Sequence, residues 1–499
     1  MLEMIKNSCE RFPDRNAFCI NDVFYSYKQF AAAVSRIRLV LENECKDEKI
    51  IAIVSYESPD LLTYASIYAC WFSGKGFVPV NPDNPLDRNI SMLNQTEIKT
   101  ILSSAINESV KKISERLNQK IVSTNALPET EINLSILEAD EEEIAYILFT
   151  SGSSGIPKGV PITRKNVTSL LDSFFSLDYK FDETDRFLQM FDLTFDFSVF
   201  CYTAPLCKGA CIYTVASGGV KYANVYMALE NYEITFACMV PSILSYLRPY
   251  FEDIKLDKLK YSLFCGEALL TKIASEWADC IPNGKIINAY GPTEATVFCL
   301  IYDFDPANKE NEYNGIVAIG SPMMNMDAIV VDENLKPVSK GTLGELCLSG
   351  AQLTKGYWKN PGRNKEMFFN YTSNGDSKIF YRTGDLALIN DRNIFMFGGR
   401  LDSQIKIQGF RIELGEIEHF TREFTKITNV TAVSLKNKND IVQIHLFVEG
   451  YKGSTSDIEE YLKTKIPNYM IPSSITSIPS FPLNANGKID RKKLAGLLT

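Results

Sequence analysis

Two histidines, His419 and His445, are all that the 499 residues contain, and both lie near the C-terminus. Hydrolysis by a Ser/His pair and zinc held by imidazoles both need histidine beside the chemistry. The sequence therefore points to an activity that runs without a histidine base. The twelve cysteines are scattered singly, and the nearest pair, Cys207 and Cys211, has no second pair at metal-ligand or redox spacing. They read as reduced, mostly buried small hydrophobes. No GxxxxGK[ST] loop occurs, which excludes a Walker-type phosphate cradle. There is no run of eighteen apolar residues, and the start MLEMIKNSCERFPDRN lacks the basic-then-apolar order of a secretory signal. A cytoplasmic protein without membrane insertion is the expectation. Basic charge is also short: at a net charge of −9, nucleic acid is disfavoured as a partner, because its backbone needs a basic face.

What is present suits a sizeable enzyme. A chain of 499 residues exceeds one ordinary core, so two or three packed units are expected. The first 400 residues alternate strand and helix: IIAIVSY, a helix from about Pro59 to Ser73, GFVPV, a helix after Asp87, then TILSS. Such alternation predicts layered α/β architecture with largely parallel sheets. From Gly398 the pattern changes to a polar turn, an alternating strand, a glycine and a helix start, which places a boundary near Asp402. The remainder gives strands (NVTAVSL, IVQIHLFVEG), a helix (SDIEEYLKTKI) and the tail NANGKIDRKKL, a small α+β unit.

After the apolar run IAYILFT comes Thr150, Ser151, Gly152, Ser153, Ser154, Gly155 and, two residues on, Pro157, Lys158 and Gly159. Hydroxyls, backbone N–H groups freed by glycine and a lysine are the parts that hold a polyphosphate. Taken alone, the same loop reads equally as a linker.

The segments FTSGSSGIPKG, FDFSVF, FCGEAL, NAYGPTEATV, GELCLSG, YRTGDLA, GRLDSQIKIQGFRIELGEIE and NANGKIDRKKL occur in this order over nearly the whole chain. In that order they resemble the acyl-adenylate-forming superfamily. The resemblance implies a large N-terminal domain over residues 1–401, a small mobile C-terminal domain over 402–499, and two half-reactions in one site using ATP and Mg2+. It implies that the 150–159 loop closes on the ATP phosphates. Gly266, Glu267, Asn288, Ala289, Tyr290, Gly291, Pro292 and Thr293 match further nucleotide positions, with Tyr290 against the base and Thr293 near the α-phosphate. Glu294 matches the Mg2+ ligand, a hard oxygen suited to a cation already held by phosphates.

Asp385 matches the acceptor of both ribose hydroxyls, and Phe397 and Arg400 match positions beside the nucleotide. Many relatives carry tyrosine where Phe397 stands. Lys488 resembles the catalytic lysine of adenylate formation, where an ammonium bridges carboxylate and α-phosphate and offsets charge at pentavalent phosphorus. Without the resemblance it would read as a solvated charge. Asp402 matches the hinge of the C-terminal domain, and Gly409 a hairpin that enters the pantetheine channel during thioester formation.

Asp196 matches the aspartate by which amino-acid-activating members bind an α-ammonium, though its position also suits a helix cap. Phe197, Phe200, Leu263, Cys265, Ala289, Val297 and Phe298 take the pocket-lining positions, and three phenylalanines favour a small side chain. FCGEAL and the length near 500 residues resemble the D-alanine–carrier protein ligase branch; Phe197, Phe200 and Cys201 depart from it where Leu, Met and Asp are expected. Stand-alone adenylation enzymes of peptide pathways, coenzyme A ligases and a non-catalytic nucleotide-binding relative are the alternatives. With eleven residues after Lys488, the expected acceptor is a phosphopantetheinylated carrier protein acting in trans.

Overall fold

The computed structural model describes residues 1–137, 140–152, 155–308, 311–373, 375–482 and 489–498. Among these, two sheets carry most of the strands before residue 322. A six-stranded sheet places Ile50–Val54, Gly76–Val80, Thr100–Ser103 and Lys120–Ser123 in parallel, with Ile144–Thr150 parallel to Gly76–Val80 and Lys158–Thr163 folded back antiparallel. A nine-stranded sheet has a parallel centre of Arg186–Gln189, Cys211–Thr214, Phe236–Met239, Tyr261–Phe264 and Lys285–Tyr290, with antiparallel strands at both margins.

The helix Leu61–Phe72 explains how the sheets share one core. Its sequence, LLTYASIYACWF, is apolar on every face, and every residue but Leu62 is buried, as a helix enclosed on all sides must be. Asp60 starts it by accepting the Thr63 backbone N–H at 2.8 Å. Trp71 is fully buried, and its indole N–H donates to the Ala145 carbonyl at 2.9 Å. The helix Phe197–Lys208 is likewise buried apart from Lys208 and ends at Gly209, whose φ of 80° gives a left-handed C-cap. All twelve cysteines are free and buried.

The alternation expected for the first 400 residues stops short. Met326–Val331, Gly344–Gly350, Phe368–Ser373, Asp376–Ile389 and Phe395–Arg400 form a separate five-stranded antiparallel sheet. Parallel strands need long crossovers, and here three of the four connections are short, with positive φ at Leu335, Gly341, Gly375 and Asn393, while the fourth runs through the helix Pro361–Met367. The hairpin Gln404–Ile407 with Phe410–Glu413 follows. Beyond it, Val430–Lys436, Val442–Glu449 and Ser474–Ile478 make a three-stranded sheet with its own core around Ile417, Leu446 and Ile458. No described helix is long and apolar enough to cross a membrane.

Replacing Trp71 with alanine removes a buried indole from the helix both sheets share. Urea unfolding is expected to show a loss of about 3–5 kcal/mol, and a loss under 1 kcal/mol would contradict this account of the core.

Candidate functional site

The parallel strands of the nine-stranded sheet end on one side, where ligands of α/β sheets bind. Gly266 and Glu267 follow Tyr261–Phe264, Ala289 and Tyr290 end Lys285–Tyr290, and Thr293 and Glu294 sit in the 3₁₀ turn Thr293–Ala295. A cavity of about 380 Å³ opens there, lined by Gly266, Glu267, Asn288, Ala289, Tyr290, Gly291, Asp385, Phe397 and Arg400. Sequence positions more than a hundred residues apart thus meet on one wall. Asn288 spends its side-chain amide on structure, donating to the Ala318 carbonyl at 2.8 Å.

Asp385 and Arg400 are cross-strand partners in register. The Arg400 guanidinium donates to Asp385 Oδ1 at 2.6 Å, and the Tyr290 hydroxyl donates to Asp385 Oδ2 at 2.5 Å. A carboxylate has about four acceptor sites, so lone pairs remain. Arg400 also grips Asp402 by two bonds of 2.7 and 2.8 Å, which hold that carboxyl below its usual range against the opposing effect of burial.

A second cavity, of about 30 Å³, is lined by Asp196, Phe197, Cys265, Pro292, Thr293, Val297 and Lys406. Asp196 stands before the helix Phe197–Lys208 but makes no side-chain cap bond, so the capping alternative is not realised. Burial pushes its carboxyl up to about 6, with the Thr293 side chain and the Lys406 charge opposing. Phe200, Leu263 and Phe298 are fully buried behind this wall. Phe200 packs edge-on against Phe298 at 5.0 Å and Phe174 at 4.7 Å, so these rings set the depth of the cavity from outside its lining. Val297 has φ of 71°, a strained conformation for a β-branched residue and one that clusters at functional sites.

The loop after Ile144–Thr150 is occupied from the C-terminal side. Ser151 Oγ donates to the Arg411 carbonyl at 2.7 Å and accepts from the Glu413 N–H at 3.2 Å. The Gly152 N–H donates to Glu416 at 3.3 Å, and Lys158 lies 3.5 Å from Glu413. Thr150 Oγ1 is buried with no hydrogen-bond partner among the described residues. Gly155, with φ of 79°, faces His419. Ser153, Ser154 and Lys488 lie outside the described residues.

Glu294 is completely buried. Arg411 donates to both its oxygens at 3.0 and 2.9 Å, and the Tyr357 hydroxyl donates at 2.6 Å. Burial raises this carboxyl, but Arg411 and Tyr357 outweigh it and leave it below the ordinary value. Gly409 lies between Phe195 and Val240, where an added Cβ would come within 2.9 and 2.7 Å of them, and its φ is 84°. Its N–H donates to Glu267 at 3.0 Å. The sequence reading named Gly409 but missed Lys406, Arg411, Glu413 and Glu416 around it. Their signal was charge alternating with apolar residues along two short strands, at Lys406, Arg411 and Glu413, and again at Glu416 in the first turn of the helix that follows.

A single buried carboxylate fits Mg2+ better than a protein-built metal cage would, since that cation keeps phosphate and water ligands. No group of three or more potential ligands from His, Cys, Asp and Glu occurs among the described residues.

Known proteins share this frame. The chain is 28% identical to the D-alanine–D-alanyl carrier protein ligase of Bacillus licheniformis, over 99% of this chain and 98% of that protein. It is also 28% identical to tyrocidine synthase 1 of Brevibacillus parabrevis, over 99% of this chain, but it spans only 44% of that relative's length. The fold superposes with a TM-score of 0.86 on the Vibrio cholerae adenylation domain AlmE in complex with glycyl-adenosine-5'-phosphate, at 24% identity and covering 99% of this chain and 97% of that one. The model of the AMP-binding enzymes matches residues 5–358, and the chain belongs to that family of AMP-binding enzymes.

Proposed function

We propose that the protein activates a small amino acid with ATP, D-alanine being the leading candidate, and passes the aminoacyl group to the phosphopantetheine thiol of a separate carrier protein. The observation that carries this reading is Asp196, a buried carboxylate on the wall of a cavity of only about 30 Å³. The carboxylate shares this cavity with Thr293 and Lys406, and a space so small suits a substrate that brings one positive charge and a short side chain. The relatedness to a D-alanine–carrier protein ligase supports the choice of substrate. An adenylation enzyme of a peptide pathway acting on another small amino acid is the second reading, supported by the likeness to tyrocidine synthase 1.

In the first half-reaction a substrate carboxylate oxygen attacks the α-phosphorus of ATP. The new P–O bond forms as the bond to the β-phosphate oxygen breaks, and pyrophosphate leaves. A carboxylate is already ionised at neutral pH, so no general base is needed. Asp196 would hold the α-ammonium, Thr150, Ser151 and Lys158 the phosphates, Asp385 the ribose, and Lys488 the charge developing between carboxylate and phosphorus. Glu294 would hold Mg2+, which supplies charge neutralisation on the polyphosphate when bound. In the second half-reaction the carrier thiolate attacks the acyl carbon and AMP departs. Between the two, residues from 402 onward would turn about Asp402 and bring Gly409 to the thiol channel.

ATP–pyrophosphate exchange with a panel of D- and L-amino acids and amino-free acids tests the substrate class. D-alanine is expected among the best, and a preference for an acid without an amino group would hand the protein to the coenzyme A ligase reading. Lys488→Ala is expected to slow adenylate formation by about 100-fold or more while loading from supplied aminoacyl-adenylate largely survives. Equal slowing of both steps in single turnovers would remove the lysine from the first.

Asp196→Asn keeps the shape and removes the counter-charge. Truncating a buried pair costs about 2–5 kcal/mol, so exchange should fall roughly 30-fold or more. In the wild type, kcat/KM for the amino acid should decline as pH falls through about 6, where this carboxyl gains its proton; the Asn variant should lack that limb. The sign for stability is the reverse of a salt-bridged carboxylate. A folded pKa raised above the unfolded value favours the protonated fold, so stability falls as pH climbs from about 4 to 6 and stays lower above. At pH 8 the Asn variant should therefore be more stable by as much as about 3 kcal/mol, and an equal or lower melting temperature there would refute the burial account.

A further inference from the structure

Asp385 sits where its strand breaks register with the neighbouring strand Gly344–Gly350. On one side of the break Gly344 faces Ala387 and Glu345 faces Leu386; on the other, Cys347 faces Arg382 and Leu348 faces Tyr381. Leu346 alone therefore spans the place where Thr383, Gly384 and Asp385 stand. Extra residues of this kind bend a strand and re-aim its side chains, and their amides lose the carbonyls that a regular ladder supplies. Gly384 takes the sharpest bend, with φ of 72°, and a Cβ there would come within 2.9 Å of the Arg400 guanidinium.

Side chains serve these amides instead. The Thr383 hydroxyl donates to the Leu346 carbonyl at 2.7 Å and accepts the Asp385 N–H at 3.0 Å. The Gly384 N–H donates to Glu345 Oε1 at 3.2 Å. Glu345 Oε2 accepts two bonds from the Arg382 guanidinium, at 3.0 and 2.6 Å, so one carboxylate reaches across the break and ties its edges together. That side chain is only 8% exposed, which leaves water little room to replace it. Beyond the bulge the Gly384 carbonyl accepts the Leu401 N–H at 2.9 Å, carrying the same geometry to the strand that bears Arg400.

We infer that Glu345 is a positioning residue for the nucleotide: by holding the Gly384 amide it sets the bulge, and the bulge directs the Asp385 carboxylate into the cavity to meet the ribose hydroxyls. The inference rests on the proposed ribose role of Asp385 and adds a residue that lines neither cavity. Without the Glu345 carboxylate the Gly384 N–H has no acceptor, and the strand regains a ladder partner only by sliding its extra residues. A slide of one residue turns every side chain to the opposite face. Asp385 then leaves the cavity wall and the Arg400 and Tyr290 bonds that orient it. Loss of one backbone acceptor thus becomes loss of ribose recognition.

Binding of ribose-edited nucleotides reads this role without turnover and without an amino acid. ATP, 2′-deoxyATP and 3′-deoxyATP, each with Mg2+, are titrated into the full chain and followed by calorimetry. The wild type should bind ATP at least about 10-fold more tightly than either deoxynucleotide, because each hydroxyl bonds to a charged acceptor. Glu345→Met removes the acceptor at nearly constant volume; its ATP affinity should fall about 10-fold while the deoxynucleotides lose less than about 2-fold, so the preference collapses. Glu345→Gln keeps an amide oxygen for the Gly384 N–H and should hold the preference within about 3-fold of the wild type. If the methionine variant does not fold, Glu345→Ala is measured in its place, with the same expected collapse. A purely structural role would weaken all three nucleotides alike. Parallel weakening, an unchanged preference in the variant that folds, or equal loss in the glutamine variant would each overturn the positioning role. A wild type that does not distinguish the three nucleotides refutes the ribose reading of Asp385 itself, which sets that failure apart from one confined to Glu345.

Discussion

Glu294 sets the terms for everything around it. A carboxylate with no exposure to water stays ionised only beside a cation, and breaking such a pair costs far more than its formation gains. In this structure the cation is Arg411, which is supplied by the hairpin beyond Arg400, while the Tyr357 hydroxyl, 3.2 Å from that of Tyr381, donates to Glu294 itself. The position of the hairpin therefore follows from a desolvated charge that has to be satisfied. Gly409, wedged where any side chain would strike Phe195 and Val240, marks how closely the hairpin is drawn in.

The same economy runs through the rest of the site. His419 packs against Gly155 at the loop, but the charged contacts of the site are made by carboxylates, lysines and arginines. Asp385 is fixed between Arg400 and Tyr290, and Lys158 is buried enough that its ammonium is disfavoured, with Arg411 adding repulsion and Glu413 opposing it. Asp196 is likewise a group whose burial disfavours its charge. Unlike Asp385 it has no guanidinium bonded to it, which is what the proposed role toward a substrate ammonium requires.

Much of this was legible in the sequence because chemistry-bearing residues sat in short, punctuated segments. Asp385 and Arg400, fifteen residues apart, were singled out together and prove to be paired across a hairpin. The helix over Leu61–Phe72 was readable from its all-round apolarity, and the strand Ile144–Thr150 from its apolar run before a glycine-rich loop. The antiparallel sheet between Met326 and Arg400 was not, since strands in such a sheet and strands in a parallel one share the same local pattern until their connections are known. Arg411 and Glu416 were missed for a related reason. A charged residue on a short strand, or in the first turn of a helix, reads as solvent-facing, and only the long-range docking of Arg411 on Glu294 and of Glu416 on Gly152 turns them inward.

The pocket shows where residue type alone misleads about mechanism. Three phenylalanines at pocket positions predict a small substrate, yet of these only Phe197 lines the small cavity, with Phe200 and Phe298 one layer back. Their influence is exerted by packing: Phe174, Phe200 and Phe298 form an edge-to-face cluster, and rings so engaged cannot rotate aside to admit a longer side chain without forfeiting contacts on every face. Val297, held at positive φ by the turn it closes, presses its side chain into the remaining space. Small size is thus imposed by a rigid second layer and a strained wall. Shortening Phe200 would create a void behind the lining before it lengthened the cavity itself, so access for larger amino acids depends on whether Phe197 and Val297 relax into that void.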